Sequence, residues 1–360
     1  MAFTVKHITR LEKLLPYRQA WEQLRQEVNL GFCSSFDWLY LWAERYLNKS
    51  DKLAVQLYYN EQKLVAVIPI YFQSTWSGLE LFFLGQGESE HEEVASEFQD
   101  FLLDSTYQKE VFTAFNRYLK SMTNLQRLQF SQVLSNSHCA QFCQNYLPAD
   151  ADFIESASRV RYFLPVANYA RSINSASARR KMLKNLSEYG LTLVLPDSIK
   201  EVENMYQQLV ALHQSAWRAK QKPGAFSSAK FIEFHRQYIR KLWQQRRIMM
   251  FALQREQQTV GVFYGVIDGD ILSYYQSGLD IHEVNNIGYV MHAQALTLAK
   301  SNGLSQYDLM AASSVSYKRF ITSNTEPVVS LRCRFSAKNW AQRLLAFKDK
   351  LMVNFRRPVI

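Results

Sequence analysis

Between Ile248 and Phe320 the rhythm of apolar and polar positions changes in a fixed order. Ile248 to Leu253 and Val260 to Ile267 are short apolar runs, rich in β-branched and aromatic residues and separated by the polar turn Arg255-Glu256-Gln257-Gln258, and they predict a strand hairpin. Asp268-Gly269-Asp270 supplies a residue at ease with positive φ, so a third strand, Ile271 to Gln276, follows at once. From Tyr289 the period lengthens. Tyr289, Ala293, Leu296 and Ala299 take helical spacing, Asn302-Gly303 reads as the stop, and Gln306 to Met310 returns to strand.

The first half of the chain repeats this order without repeating the sequence. A helix from Phe36 to Leu47 precedes a hairpin from Leu53 to Phe72, then come strands Leu79 to Leu84 and Phe98 to Leu103, a helix Glu110 to Ser121 and a strand Leu125 to Phe130. In the second half the hairpin is preceded by a long helical region, Lys200 to Arg246, broken at Pro223-Gly224. The pattern predicts two copies of one α/β unit, divided between Asp150 and Ser158: residues 1–155, then 156–330, with 331–360 as a basic amphipathic C-terminal helix. Just past the divide, Arg159, Arg161, Arg171, Arg179, Arg180, Lys181 and Lys184 occur with no acidic residue from Ser156 to Ser187. Ser175-Ala176-Ser177 is the expected N-cap of a helix reaching Tyr189 and stopped by Gly190; its cations suit either an anionic ligand or a solvated face.

Several of these segments together resemble a known family. Leu209 to Gln237 (LVALHQSAWRAKQKPGAFSSAKFIEFHRQ), the hairpin, SYYQSGLD and SYKRF are similar to the acetyltransferase-like proteins of the cellulose-biosynthesis and BioF-like group, as are FCSSFDWLYLWAERY, LAVQLYYNEQKLVAVIPIYF and FQDFLLD in the first half. That group belongs to the GNAT superfamily and is related to the Fem-type aminoacyl and peptidyl transferases. The resemblance implies tandem GNAT-like units, each a mixed, mostly antiparallel sheet flanked by helices. It also implies transfer of an acyl group, acetyl in the first instance, from acyl-CoA to an amine on a sugar or cell-envelope polysaccharide precursor.

Amine attack on a thioester needs a groove for the donor arm, amides for its pyrophosphate, and a path for one proton. The resemblance places the groove on the third strand, with Tyr275, Ser277 and Gly278 toward the cofactor and Tyr274 toward the acceptor. It places the pyrophosphate at Asn286, Ile287 and Gly288, where free N–H groups meet the positive end of the helix. This loop has one glycine and no cation, a departure from the usual GNAT pattern that keeps an aminoacyl-tRNA donor open. Tyr317, Lys318 and Asp308 are the first candidates for proton handling, and His213 the next, with Trp217 a turn later on the same helical face and Arg218 beside it as acceptor contacts.

Composition adds boundaries. With 360 residues, 48% of them hydrophobic, the chain can bury two cores, and its four scattered cysteines suit a reducing compartment. The absence of a long apolar run and of a leader pattern predicts a cytoplasmic protein. His138, Cys139 and Cys143 form only half of a zinc pattern, so no metal is expected, and there is no phosphate loop, dinucleotide fingerprint or nucleophile elbow. Of the net charge of +10, the last thirty residues carry +7, from eight cations against Asp349. There the stripe Trp340, Leu344, Phe347, Leu351 and Phe355 suits either docking on the core or peripheral contact with the inner membrane face. No specific nucleic acid is expected unless the donor is tRNA. A catalytically silent GNAT-like protein attached to polysaccharide machinery is the reading from another class.

Overall fold

The computed structural model describes residues 3–122, 124–147 and 151–335. The helix expected over 337–355 lies outside the described residues. The chain divides into two compact units, one of Met1–Gly87, Ala95–Ala157 and Val329–Ile360, the other of Glu88–Val94 and Ser158–Val328.

In the first unit, β1 (Phe3–Ile8) leads to α1 (Arg18–Glu27) and α2 (Phe36–Tyr46), whose N-cap Ser35 accepts from Trp38 N. Then follow β2 (Lys52–Leu53), β3 (Val55–Asn60), β4 (Lys63–Ile68), β5 (Ile70–Thr75), β6 (Gly78–Phe83) and β7 (Leu102–Leu103). The expected strand from Phe98 is therefore shortened to its last two residues. Phe98 takes φ 61°, and Asp100 turns its carboxylate to the N–H groups of His138 and Cys139, at 2.8 and 2.7 Å, instead of continuing a ladder. The hairpin also ends before Phe72, which lies in β5, paired with β6. After α3 (Gln108–Ser121), β8 (Leu125–Leu134) lies parallel to β6. α4 (His138–Asn145) follows, and β9 (Asp152–Pro165) carries the chain into the second unit. The core is aromatic: the Phe101 ring lies 5.4 to 6.3 Å from those of Phe83, Phe112, Phe115, Phe130 and Phe142.

The second unit continues through α5 (Tyr169–Ser172), α6 (Ala176–Met182), β10 (Thr192–Val194), α7 (Ile199–Arg218) and α8 (Ala229–Gln244). Of the expected capping stretch it is Ser175 that caps α6, and the helix stops at Met182. A separate 3-10 turn follows over Leu186–Tyr189, held by an Asn185/Glu188 capping box and closed by Gly190 at φ 63°. The strands β11 (Ile248–Arg255), β12 (Gln258–Asp268) and β13 (Ile271–Leu279) form an antiparallel meander. After α9 (Ile287–Ser301), β14 (Gln306–Ala312) returns parallel to β13 and antiparallel to β9. A short α10 (Lys318–Ile321) precedes β15 (Thr325–Arg334), which takes the chain back to the first unit. Leu331, Cys333 and Phe335 are buried there while Arg332 and Arg334 are exposed. That period of two is a strand's, so residues 331–334 do not open the C-terminal helix expected from 331.

Two glycines let helices approach the meander from opposite faces. A Cβ on Gly261 would press on Met291 and Ile287 of α9, and one on Gly278 would collide with the Leu209 carbonyl of α7. Replacing Gly278 by alanine should lower stability by about 1–3 kcal/mol, measurable as an earlier urea midpoint.

Candidate active site

β13 and β14 pair over three positions only, Ile271↔Gln306, Leu272↔Tyr307 and Ser273↔Asp308, and then part. Each strand has a local cause. On β13 the register against β12 shifts between Tyr264 and Gly265, leaving Tyr275 as the extra residue of a bulge. On β14 the register against β9 shifts between Asp308 and Ala311, and Met310 takes φ 62°. The two irregularities fall at the same level.

The side chains at this level make a buried polar cluster, although each had to leave water to join it. The Lys318 ammonium donates to the carbonyls of Leu309 and Ala311 on the irregular part of β14 and lies 5.7 Å from the centroid of the Tyr274 ring. Asp308 accepts from Arg161 Nε at 2.7 Å and from Met310 N at 2.7 Å, and Arg161 reaches on to Glu326 at 2.8 Å. Burial pushes the Asp308 carboxyl upward; Arg161, the Met310 N–H and Lys318 pull it back, the guanidinium most strongly.

On the α9 side, His292 Nδ1 lies 2.7 Å from Tyr307 Oη and its Nε2 lies 2.8 Å from Tyr317 Oη. Burial, with Lys318 adding to it, lowers the imidazole to about 3, so it is neutral near pH 7. A neutral ring has one N–H, so one phenol donates to it and the other accepts from it. Tyr274 lies 2.7 Å from Ser277 Oγ and also hydrogen-bonds Tyr317, which extends the chain of exchangeable protons. Tyr307 is fully buried whereas Tyr317 is 42% exposed, so the chain runs from the core to the surface.

Of the residues singled out in the sequence, Tyr274, Ser277, Asp308, Tyr317 and Lys318 are thus brought together. Others go elsewhere. Tyr275 points to the α8 face, bonded to the Val94 carbonyl at 2.6 Å and to His235 Nε2 at 2.8 Å. On α7, Trp217 Nε1 donates to His213 Nε2 at 2.9 Å, so that imidazole carries its proton on Nδ1, toward Gln214, and the pair packs on Phe226. This places His213 and Trp217 on the face opposite α9, and the exposed Arg218 ends the same helix. Gly278 faces α7. His138 is paired with Asp100 at 3.3 Å, the Cys139 and Cys143 thiols are raised by burial, and no metal-binding group of histidine, cysteine or carboxylates occurs among the described residues.

The start of α9 offers a mixed environment for a phosphate. Asn286 at φ 64° is the N-cap, and a Cβ on Gly288 would meet only Leu279 Cδ1 at 3.8 Å, so space remains over the first turn. The Ile287 side chain belongs to the core and can contribute only its main chain. Lys181 stands 5.0 Å from the Tyr289 ring centroid beside this turn. Against an anion, the Asp280 carboxylate already accepts from His282 N and Glu283 N, at 3.1 and 3.0 Å, and Glu283 is paired with Arg255. The backbone and Lys181 fit a pyrophosphate; the two loop carboxylates do not.

Sequence reasoning missed His292, Tyr307 and Arg161 as members of the site. His292 had a signal: it is a polar residue in a helix whose other faces are largely apolar, and such a histidine needs partners.

Residues 174–319, less than half of the chain, match the acetyltransferase (GNAT) domain family. No curated protein matches the sequence. Among solved structures, a conserved protein of unknown function from Bacteroides thetaiotaomicron is similar with TM-score 0.55 and 13% identity, over 93% of this chain and 100% of that one. FemX is similar at 0.52 and 10%, over 94% and 99%, and L-PGS from Bacillus licheniformis at 0.51 and 11%, over 95% and 98%. Such identities speak for the fold alone. The chain has a mixed α/β fold of two units, and residues 174–319 of the second match the acetyltransferase (GNAT) domain.

Proposed function

We propose that the second unit transfers an acyl group, acetyl in the first instance, from acyl-CoA to an amine of a sugar or cell-envelope polysaccharide precursor. The observation that carries this reading is the parting of β13 and β14 beside a buried lysine and the start of α9. The parted strands offer main-chain groups to an extended donor arm, and the open turn at Gly288 offers N–H groups to its phosphates. In the reaction the amine nitrogen bonds to the acyl carbon, the carbon–sulfur bond breaks, and the proton lost by nitrogen ends on the thiolate. Lys318 supplies positive charge where the carbonyl oxygen gathers electrons, and Tyr317, backed by neutral His292, exchanges the proton at the surface end of the chain. The acceptor class follows from the sequence resemblance to the cellulose-biosynthesis group.

A second reading, an aminoacyl-tRNA donor as in Fem-type transferases, is favoured by one observation. The loop before α9 carries Asp280 and Glu283 and no cation of its own, which suits a pyrophosphate less well than the usual GNAT loop.

Calorimetric titration with acetyl-CoA, with free CoA as control, separates the two. Saturable binding, weakened at least tenfold in Gly288→Glu, is the expected result; no heat at millimolar ligand would remove the acyl-CoA donor and favour tRNA or a silent protein. Lys318→Met should lower kcat about 10²–10³-fold if its charge acts on the oxyanion, with little change in KM. The buried histidines also set an acid limit. His292 and His235 stay neutral in the fold down to about pH 3 but protonate near 6.5 when unfolded. The unfolded state then binds more protons in that window, so stability is complete above pH 6.5 and falls as the pH is lowered toward 3. The slope should be about 1.4 kcal/mol per pH unit for each histidine, readable from urea midpoints across the range.

A further inference from the structure

A cleft of about 610 Å³ opens beside the first residues of β11, lined by Leu195, Trp243, Arg246, Met250, Ile267 and Leu298 among others. It lies at the C-terminal end of α9, where Leu298 and Asn302 are about 15 to 21 Å along the helix from the turn at Gly288. Its floor is a strand edge. Ile267 N donates to Arg247 O, so the odd-numbered residues of β11 turn their main-chain groups to β12 and the even-numbered ones turn theirs to β10. β10 pairs with Gln254, Leu253 and Ala252 and then stops at Val194. Continued in register, it would set Pro196 opposite Met250, and a proline has no N–H to give to that carbonyl. Leu195 and Pro196 instead leave the sheet and form the cleft wall. Ile248 and Met250 therefore turn N–H and C=O groups toward the cleft they line, with no neighbouring strand among the described residues.

The end of the cleft holds a cation. Arg246 takes φ 56° just after α8, a position that usually calls for glycine or asparagine. Its neighbour Arg247 is engaged by Asp268 and the Ile267 carbonyl, whereas the Arg246 guanidinium meets no acceptor among the described residues. A strand added in the direction of β10 would run antiparallel to β11 and finish at Ile248, with its C-terminus at Arg246.

We propose that this cleft binds the C-terminal residues of an extended polypeptide. Its main chain pairs with Met250 and Ile248, an apolar side chain lies among Trp243, Ile267 and Leu298, and its α-carboxylate meets Arg246. The unpaired strand edge favours a peptide over a fatty acid, which could fill the apolar space but would leave those main-chain groups unbonded.

The test uses the full chain and a fluorescein-labelled pentapeptide of alternating threonine and valine ending in leucine, as the free acid and as the C-terminal amide. Fluorescence anisotropy should show saturable binding of the acid and about tenfold weaker binding of the amide. Amide hydrogen exchange over 247–251 should slow only with the acid. Arg246→Gly should lose the same factor while its thermal midpoint stays or rises, since glycine suits that φ; this separates lost recognition from lost folding. Absence of saturable binding, equal binding of acid and amide, or unchanged exchange over 247–251 would overturn the proposal.

Discussion

The second unit depends on a lysine held away from water. Where the parallel ladder ends after three positions, Lys318 donates to the Leu309 carbonyl and shares the Ala311 carbonyl with Arg159, so neither acceptor on the irregular end of β14 is orphaned. Its charge in turn shapes the neighbourhood. It adds to the burial that keeps His292 neutral, and it helps draw Asp308 back toward its ionised form, a task in which Arg161 is the stronger partner. A cluster with this many buried polar groups is tolerable only because nearly every member has a bonded neighbour.

The first unit shows the same crossover, β6 to α3 to β8, with a different interior. Its parallel pair continues through Leu79, Glu80, Leu81 and Phe82, and the space beside it is filled by phenylalanines where the second unit has tyrosine, histidine and lysine. Beside this crossover one unit thus packs phenylalanines and the other gathers a buried polar cluster. The difference lies in side chains, not in the order of elements.

How much of this could be read beforehand varied with the range of the interaction. The meander, its turn at Gly269 and the helix expected from Tyr289, which begins at Ile287, were legible because periodicity and turn residues act over a few positions. The break at Pro223-Gly224 was legible for the same reason. Within the site, Tyr317 and Lys318 drew notice from their motif and Asp308 from its strand end. The Arg161–Asp308 pair spans 147 positions and His292–Tyr317 spans 25, and no local pattern announces either. His213 as a proton acceptor and Trp217 as an acceptor contact were put on one face by helical spacing, and they do meet, but spacing along one helix cannot say which face of the sheet that helix covers. The shortening of the strand at Phe98 was likewise hidden, since Asp100 is drawn off by a helix N-terminus nearly forty positions later.

The path of the chain between the units has a consequence for how the protein comes into being. Val94 accepts the Tyr275 hydroxyl and Glu92 meets Lys230, so a segment made early completes the later unit; Val329, Leu331, Cys333 and Phe335, made near the end, complete the core of the earlier one. Neither half is finished by the stretch of chain that begins it. During synthesis the first unit must wait with part of its core uncovered until β15 emerges, so the two halves mature together, and a gene cut between them would yield two fragments each lacking a piece held by the other.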